Sequence, residues 1–588
     1  MKTTKFFFMA ALALMTAACS NSDNDILTPT EQPANNMVTI TAKLAPKSGA
    51  SGTRKLTDQS TYIKAEWAVD EHLAILYDIG GDPKVADATI TDVDGTGAAT
   101  ITFTVVGGTP NNTTCQIIYP FSAAKDDKSG VKDAATLLAN QDGTLLNASL
   151  DVRVGAGKIQ TTSPSLDVTT QPVAQFAIFK FTVGSGGSLV AVNNLVVTIG
   201  SQHYTITSTS AKSELYSALP AVTDQTVSFA APGYTFSKDH VTFEAGKYYR
   251  STLAMTAANT VDLASKNSDY VAQNGEILTG TLSGNYKISI ADGATVTLRN
   301  VSIVGNNTNE EAYKHAGIAC PGDAVIILDG TNAVKGFYED YPGIHVAQNK
   351  TLTIQGTGSL NASSNGYGCG IGAGYAMACG NIIIGGGTIE ATGGVGCAAI
   401  GGSQQTSSSC GDIVINGGTI TAVGGSSSPG IGAALNGKCG NITITGGNIT
   451  SNGQLYGAGI GSGGYAECGD ITISGGTIDA TGNYAPGIGS GLQSAKCGDI
   501  LISGGDVKTT GTGGNFISLG CGYASTCGSI TVTDGTTKLA IYGGHIGKAD
   551  LGTCGTVTID GNEFISTSQI FPHYTTSTVN GYWTLTHK

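Results

Sequence analysis

Charge is scarce in this chain: Asp, Glu, Lys and Arg make up 12% of its 588 residues. Helices keep a solvent face of Lys and Glu, so this shortage, beside plentiful Thr, Ile and Val, excludes a helix-rich protein and favours β structure. What charge there is leans acidic, with 30 Lys and Arg against 43 Asp and Glu and a formal net charge of −13. No cluster of basic residues exists to neutralise phosphates, which excludes nucleic acid as a partner. Proline is sparse at 15, and the 85 glycines, concentrated after residue 355, follow no Gly-X-Y period, which excludes collagen. There is no Cys-x-x-Cys pair, so neither a zinc site nor any other metal or cofactor is expected. No apolar run, that of the N-terminus included, is long enough to cross a bilayer as a mature helix.

What is present is a repeat. Seven Cys-Gly pairs begin at Cys379, Cys410, Cys439, Cys468, Cys497, Cys527 and Cys554, spaced by 31, 29, 29, 29, 30 and 27 residues. A period of this length marks stacked supersecondary units, none of which buries its apolar face alone. In the unit from Cys468, Ile471 and Ile473 alternate with Thr472 and Ser474, and Gly475-Gly476 turns the chain. Ile478 and Ala480 then point inward from a second strand, and Gly487-Ile488-Gly489 supplies a third. Three short strands per turn predict a right-handed parallel β-helix of triangular section over residues 259–588, with 259–285 as a junction. Apolar cores from Val296-Thr297-Leu298 to Val557-Thr558-Ile559 make about ten coils. At ~4.8 Å per coil the rod is on the order of 50 Å long. A propeller needs ~40 or more residues per blade, which this period excludes.

The N-terminus reads as an export signal over residues 1–18. Lys2 and Lys5 precede the apolar run Phe6–Leu14, and Thr16-Ala17-Ala18 leads into Cys19. This arrangement resembles the lipobox of bacterial lipoproteins, which implies that Cys19 is acylated and anchors the chain in the outer membrane. The following Ser20-Asn21-Ser22-Asp23-Asn24-Asp25 resembles the acidic surface-export tag of some Gram-negative lipoproteins, implying display at the cell surface. Residues 19–36 are polar and read as a flexible tether.

From Met37 to about residue 258, alternating runs such as Val38–Ala42, Ala99–Val106, Gln116–Tyr119, Ala174–Val183 and Leu195–Ile199 predict short strands. The expected fold of 37–258 is an antiparallel sandwich in two lobes that meet near residue 170. Glu66-Trp67-Ala68-Val69-Asp70-Glu71-His72-Leu73-Ala74-Ile75-Leu76-Tyr77, Cys115-Gln116-Ile117-Ile118-Tyr119-Pro120 and Phe243-Glu244-Ala245-Gly246-Lys247-Tyr248-Tyr249 resemble three strands of fimbrillin-type, pilus-related proteins. The resemblance implies a transthyretin-like β-sandwich and pilus subunits as partners. It also implies a cut after an early Arg that frees a groove for a donor strand. Arg54 stands where that cut would fall; the alternative reading is a solvent-exposed basic turn.

Within the repeats three columns carry the chemistry. Equivalent positions stack, so the seven cysteines form a line, read as buried free thiols packed as small hydrophobes, with rung-to-rung disulfides as the alternative. Asn381, Asp412, Asn441, Asp470 and Asp499 form a corner column in which short side chains bond backbone amides. Tyr367, Tyr456 and Tyr484 lie four residues before an Ile of the third strand, and Tyr375, Tyr465 and Tyr523 follow Gly in the next loop. Their aromatic faces suit the apolar face of a sugar ring, against the alternative that they only shield the loops. Segments such as Gly275–Leu282, Ala294–Ile303 and Gly343–Val346 resemble carbohydrate-binding β-helix modules of bacteria, which implies a glycan or host-surface component as partner. Glu390, Glu467, Asp479, His315, His345 and His545 fall in no evident acid–base pairing, so no catalytic residue and no enzyme is expected. A polysaccharide lyase or hydrolase has only the fold in its favour. The function expected is adhesion through the β-helix, with a pilus anchor or tip that uses the rod as a spacer as the alternative.

Overall fold

A computed structural model describes residues 37–46, 57–58, 63–64 and 66–588, except 126–127, 140, 145–150, 201, 305–312, 514–516, 534 and 544. Cys19 and Arg54 lie outside the described residues. The described residues are nearly all-β, with one short α-helix at Ala134–Leu137, and form N-terminal sheets followed by a parallel β-helix.

The first lobe is a seven-stranded sheet. Alternation selects its faces: Ile40, Ala42 and Leu44 of Val38–Leu44 are buried, as are Ile101, Phe103 and Val105 of Ala99–Val105. Ala45 N–H donates to Gln171 Oε1 at 3.1 Å, which ties the first strand to the last and wraps the sheet round one core. The second lobe starts at Phe176. The single strand expected over Ala174–Val183 is broken at Gln175, whose N–H leaves the ladder to bond the Val152 carbonyl at 2.9 Å. Phe176–Ser185 pairs antiparallel with Glu214–Pro220 but parallel with Tyr248–Ala254, so this lobe is not wholly antiparallel.

From Thr260 the chain coils. Residues 259–285 are not a junction: Thr260–Asp262, Tyr270–Ala272 and Ile277–Thr281 already pair in parallel with the turn that follows. They bury Val261, Leu263, Ala272 and Leu278 like later coils, but lack the Cys-Gly marker. Each coil from Ser409 on also carries a fourth strand that the triangular reading omits. The coil of Cys439 runs through Ile413–Ile415, Thr419–Val423, Ile431–Ala433 and Lys438–Cys439. The first two positions belong to one 23-stranded sheet, the third to an 11-stranded ladder, and the fourth to a 6-stranded ladder of two-residue strands.

Packing follows the alternation. Ile471, Ile473, Ile478, Ala480 and Ile488 of one coil are each at most 1% exposed. A buried Ile contributes roughly 1.5–3 kcal/mol, but only with coils above and below to cover it. At the C-terminal end Tyr582–His587 pairs antiparallel with Thr536–Tyr542, placing Trp583 and Leu585 in the core and covering an open sheet edge.

The N-terminal lobes lie alongside the β-helix. Ile327 points outward from Ala324–Asp329, yet it is 0% exposed because Val196 and Ala230 of the second lobe pack on it. Asn193 Nδ2 donates to Thr357 Oγ1 at 3.2 Å, and the Thr205 hydroxyl donates to Gln355 Oε1. Further along, Ser122, Thr136 and Leu137 of the first lobe share a crevice with Thr445 and Ser474.

Candidate functional site

The third ladder sets the site. Its strands at Ile431–Ala433, Ile460–Ser462, Ile488–Ser490 and Leu519–Cys521 read Ile-Gly-Ala, Ile-Gly-Ser, Ile-Gly-Ser and Leu-Gly-Cys, and Ile431, Ile460, Ile488 and Leu519 stack inward in register. Gly372, Gly401, Gly432, Gly461, Gly489 and Gly520 take the middle position with φ between 130° and 134°. A Cβ at any of them would stand 1.8–2.3 Å from the carbonyl oxygen of the glycine on the next coil. Only glycine allows the coils to approach this closely.

Two rows of loops flank the ladder and meet over its outer side. Leu492 N–H of one row donates to the Tyr456 carbonyl of the other at 3.3 Å, and Gly464 N–H donates to the Ser427 carbonyl at 3.1 Å. Tyr456 N–H bonds Asn483 O at 2.8 Å and Tyr484 N–H bonds Thr512 O at 3.0 Å, so these two tyrosines stand on adjacent rungs of the first row. Tyr465 N–H bonds Leu492 O at 3.1 Å and Gln493 N–H bonds Tyr523 O at 3.0 Å, which sets Tyr465 and Tyr523 in the second row with one coil between them.

The structure brings Tyr367 and Tyr375 into contact, with ring centroids 5.8 Å apart, and the Tyr375 hydroxyl accepts from Gln405 Nε2 at 2.9 Å. Tyr367, Tyr465, Tyr484 and Tyr523 are between 37% and 51% exposed, whereas Tyr375 and Tyr456 are half-buried. Tyr456, Tyr465 and Tyr484 hold left-handed backbone, φ 70°, 57° and 55°, a conformation costly for a residue with a Cβ. Val395 and Leu455, 56% and 42% exposed, extend the surface and were not picked out by the spacing of tyrosines. The middle of this surface is neutral, with no Asp, Glu, Lys or Arg in 363–378, 391–409, 424–437, 453–466, 482–495 or 511–526. Charge borders it at both ends, in Glu339 and Asp340, whose carbonyls accept from Tyr367 and Tyr375 N–H, and in Lys548 of the last third-ladder strand.

Between those ends, charge is gathered on the other faces. Glu467 on the fourth ladder is held between Lys438 and Lys496, Nζ to carboxylate 2.8 and 2.7 Å, and these partners lower its pKa to about 2. Asp479 pairs with Lys508 at 2.8 Å, and Glu390 accepts from Asn361 Nδ2 at 3.2 Å. His315 packs against Phe337, ring centroids 4.4 Å apart and tilted by 45°, and His345 Nε2 lies 3.3 Å from the Ala378 carbonyl, with burial holding its pKa down. His545 lies in a separate, later coil. The structure brings none of these histidines and carboxylates together. Among the described residues, no three His, Cys, Asp or Glu side chains cluster as metal ligands.

The cysteines stack on the fourth ladder, Cys410 beside Cys439, Cys439 beside Cys468, Cys497 beside Cys527 and Cys527 beside Cys554. Every described cysteine is free and, Cys554 apart, buried. Burial pushes the thiols of Cys379 and Cys439 well up, with neighbouring cysteines adding to the shift, and a thiol kept protonated is a poor nucleophile. Cys369-Gly370 and Cys521-Gly522 repeat the marker dipeptide outside the column; Cys521 ends a third-ladder strand. In the corner column Asn381 Oδ1 accepts from Asp412 N–H at 2.9 Å, Asp412 from Asn441 at 2.7 Å, Asn441 from Asp470 at 2.9 Å and Asp470 from Asp499 at 2.8 Å. These side chains close the coil corners and leave no converging carboxylates for calcium.

Residues 382–404, 413–435, 442–464 and 471–492 match the family model of the Beta helix repeat. No curated protein is similar to the chain in sequence. Among solved structures, the chain is similar to a Bacteroides uniformis protein assigned to cell adhesion, at 12% identity over 39% of this chain and 94% of that one, with a TM-score of 0.23. It is also similar to a fimbrial protein of Bacteroides ovatus, at 8% identity over 37% and 49% of the two chains, TM-score 0.22. A fimbrial assembly protein of Parabacteroides distasonis aligns at 11% identity over 37% and 91%, TM-score 0.23. Among the described residues no helix is long and apolar enough to cross a membrane.

Proposed function

We propose that this chain is a surface-exposed lipoprotein of the outer membrane, anchored through Cys19, which acts in adhesion by binding glycan or another host-surface component on the tyrosine cover of its third ladder. The observation that carries the reading is the neutrality of that cover. Tyr, Gln, Asn, Ser and Gly project from a rigid stack with no charge among them, a combination that offers flat apolar rings and adaptable hydrogen bonds at small entropic cost. It suits an uncharged glycan better than an acidic one. The test is a broad array of glycans and host-surface proteins probed with the full chain. Retention of neutral glycans supports the reading, and an array with no bound component leaves the β-helix a spacer.

A second reading, a pilus subunit joined by strand addition, draws on one observation. Val38–Leu44 pairs with Ala99–Val105 along its whole length and fills the core with Ile40, Ala42 and Leu44. A cut after Arg54 would separate that strand from the rest of the chain and open its place to a strand from another subunit. A mature chain beginning at Lys55 and running in a high-mass polymer supports this reading. Uncut monomer removes it.

A further inference from the structure

A cleft of about 330 Å³ lies where the second lobe rests on the first face of the β-helix, far from the tyrosine cover in the order of faces. The lobe contributes His203 and Thr205 to its wall, and the coils contribute Asp323, Thr353, Gln355 and Asn416. Gln355 is 1% exposed, and its amide is half used: Oε1 accepts from the Thr205 hydroxyl while Nε2 has no hydrogen-bond partner. A buried amide N–H without a partner costs about 1–3 kcal/mol, so an acceptor placed against Nε2 would be bound with gain. His203 is anchored through Nδ1, 3.0 Å from Thr198 Oγ1, which leaves its Nε2 for a second partner. Asp323 Oδ1 already accepts from Thr351 N–H at 2.8 Å.

The lining also narrows what fits. Asp323 is the one carboxylate in the wall, and no Lys or Arg faces it there, so an anion would be repelled. Hydroxyl and amide groups dominate, so a wholly apolar ligand would strand them. The volume falls at the lower end of the range for small-molecule sites. We infer that this cleft is a binding site for a small neutral polyhydroxyl molecule of about one sugar ring, held by Gln355 Nε2 and His203 and contacting both the lobe and the coils. Its burial of Ile327, Val196 and Ala230 beside the cleft keeps the two walls together, so occupancy would clamp the lobe onto the coils. The inference stands apart from the tyrosine cover, and neither needs the other.

The test uses the full chain with D-glucose, D-galactose, D-mannose and N-acetyl-D-glucosamine as probes, and D-glucuronate as the charged comparator, read by saturation-transfer NMR and by the midpoint of thermal unfolding. At least one neutral sugar is expected to bind and raise the midpoint. Gln355→Met should weaken that binding about tenfold, the loss of one hydrogen bond. His203→Phe, which removes the other holding group, serves where Gln355→Met does not fold, and should also weaken it. Tyr465→Ala with Tyr484→Ala should leave it unchanged, which separates this site from the cover. Absence of binding by every neutral sugar, preference for glucuronate, binding that survives both wall variants, or binding lost with the tyrosines would each overturn the inference.

Discussion

At the scale of single residues, glycine carries the most stringent demand. Gly461 combines φ 131° with a carbonyl 1.9 Å from where a Cβ would stand, and that carbonyl belongs to the backbone of the next coil. Gly561 has φ 73° and open space around it. Gly461→Ala should therefore lower the free energy of unfolding by roughly 2–4 kcal/mol, because strain and a backbone clash add. Gly561→Ala should cost only about 1 kcal/mol, the conformational penalty by itself. Equal midpoints in urea for the two variants would contradict the close-approach account. The inward isoleucines were legible from their alternation with Thr and Ser. That the tyrosines share one edge of the rod was also legible from their loops; that two loop rows converge over the third ladder was not, since spacing alone does not say it. Nor does any composition rule place Tyr456, Tyr465 and Tyr484 at left-handed corners that Gly or Asn would accept more cheaply.

At the scale of the element, the ladders differ in how they are held. The first three positions of a coil are held by buried side chains, while the fourth has two-residue strands and an exposed row Lys438, Glu467, Lys496 outside its cysteines. Hydrogen bonds and charge from Lys438 and Lys496 lower the Glu467 pKa from 4.5 to about 2. A carboxylate whose pKa falls on folding adds stability above its unfolded pKa, and that contribution is lost as pH falls from 4.5 through about 2. The row is exposed and screened, so Glu467→Gln should cost less than ~1 kcal/mol at pH 7 in low salt. The difference between variant and parent in thermal midpoint should vanish near pH 2 and shrink in 1 M salt; a difference that persists there would contradict the ion-row account. This ladder escaped the three-strand reading for a physical reason. Two residues between turns show no periodicity, and the Cys-Gly pair read only as the marker of each unit, although Cys439 and its equivalents have their own parallel partners.

At the scale of the whole molecule, the lobes flank the coils rather than merely preceding them. The signal was in the sequence, in Ala324-Val325-Ile326-Ile327-Leu328, where an unbroken apolar run replaces the Ile-Thr-Ile of later coils and marks a strand covered on both faces. Its partner strands carry the same signal, Leu195-Val196-Val197 and Phe229-Ala230-Ala231 being buried without alternation, but nothing in either run says which strand meets which. Ile327→Asp places a charge in that dry contact, so the lobe should lift away while each part stays folded. An unchanged far-UV circular dichroism spectrum with a larger radius of gyration in small-angle scattering is the expected outcome. An unchanged radius would contradict the docked arrangement.

The central claim is that adhesion resides in the neutral tyrosine cover, and one measurement addresses it most directly. The full chain and its Tyr465→Ala, Tyr484→Ala, Tyr523→Ala triple variant are compared on the same glycan and host-surface array. These three rings are 42–51% exposed, so their removal leaves the core intact. The account predicts binding of neutral glycan by the parent and a loss of roughly tenfold or more in the variant, with unfolding midpoints alike. Full binding by the triple variant, or none by the parent, would contradict it.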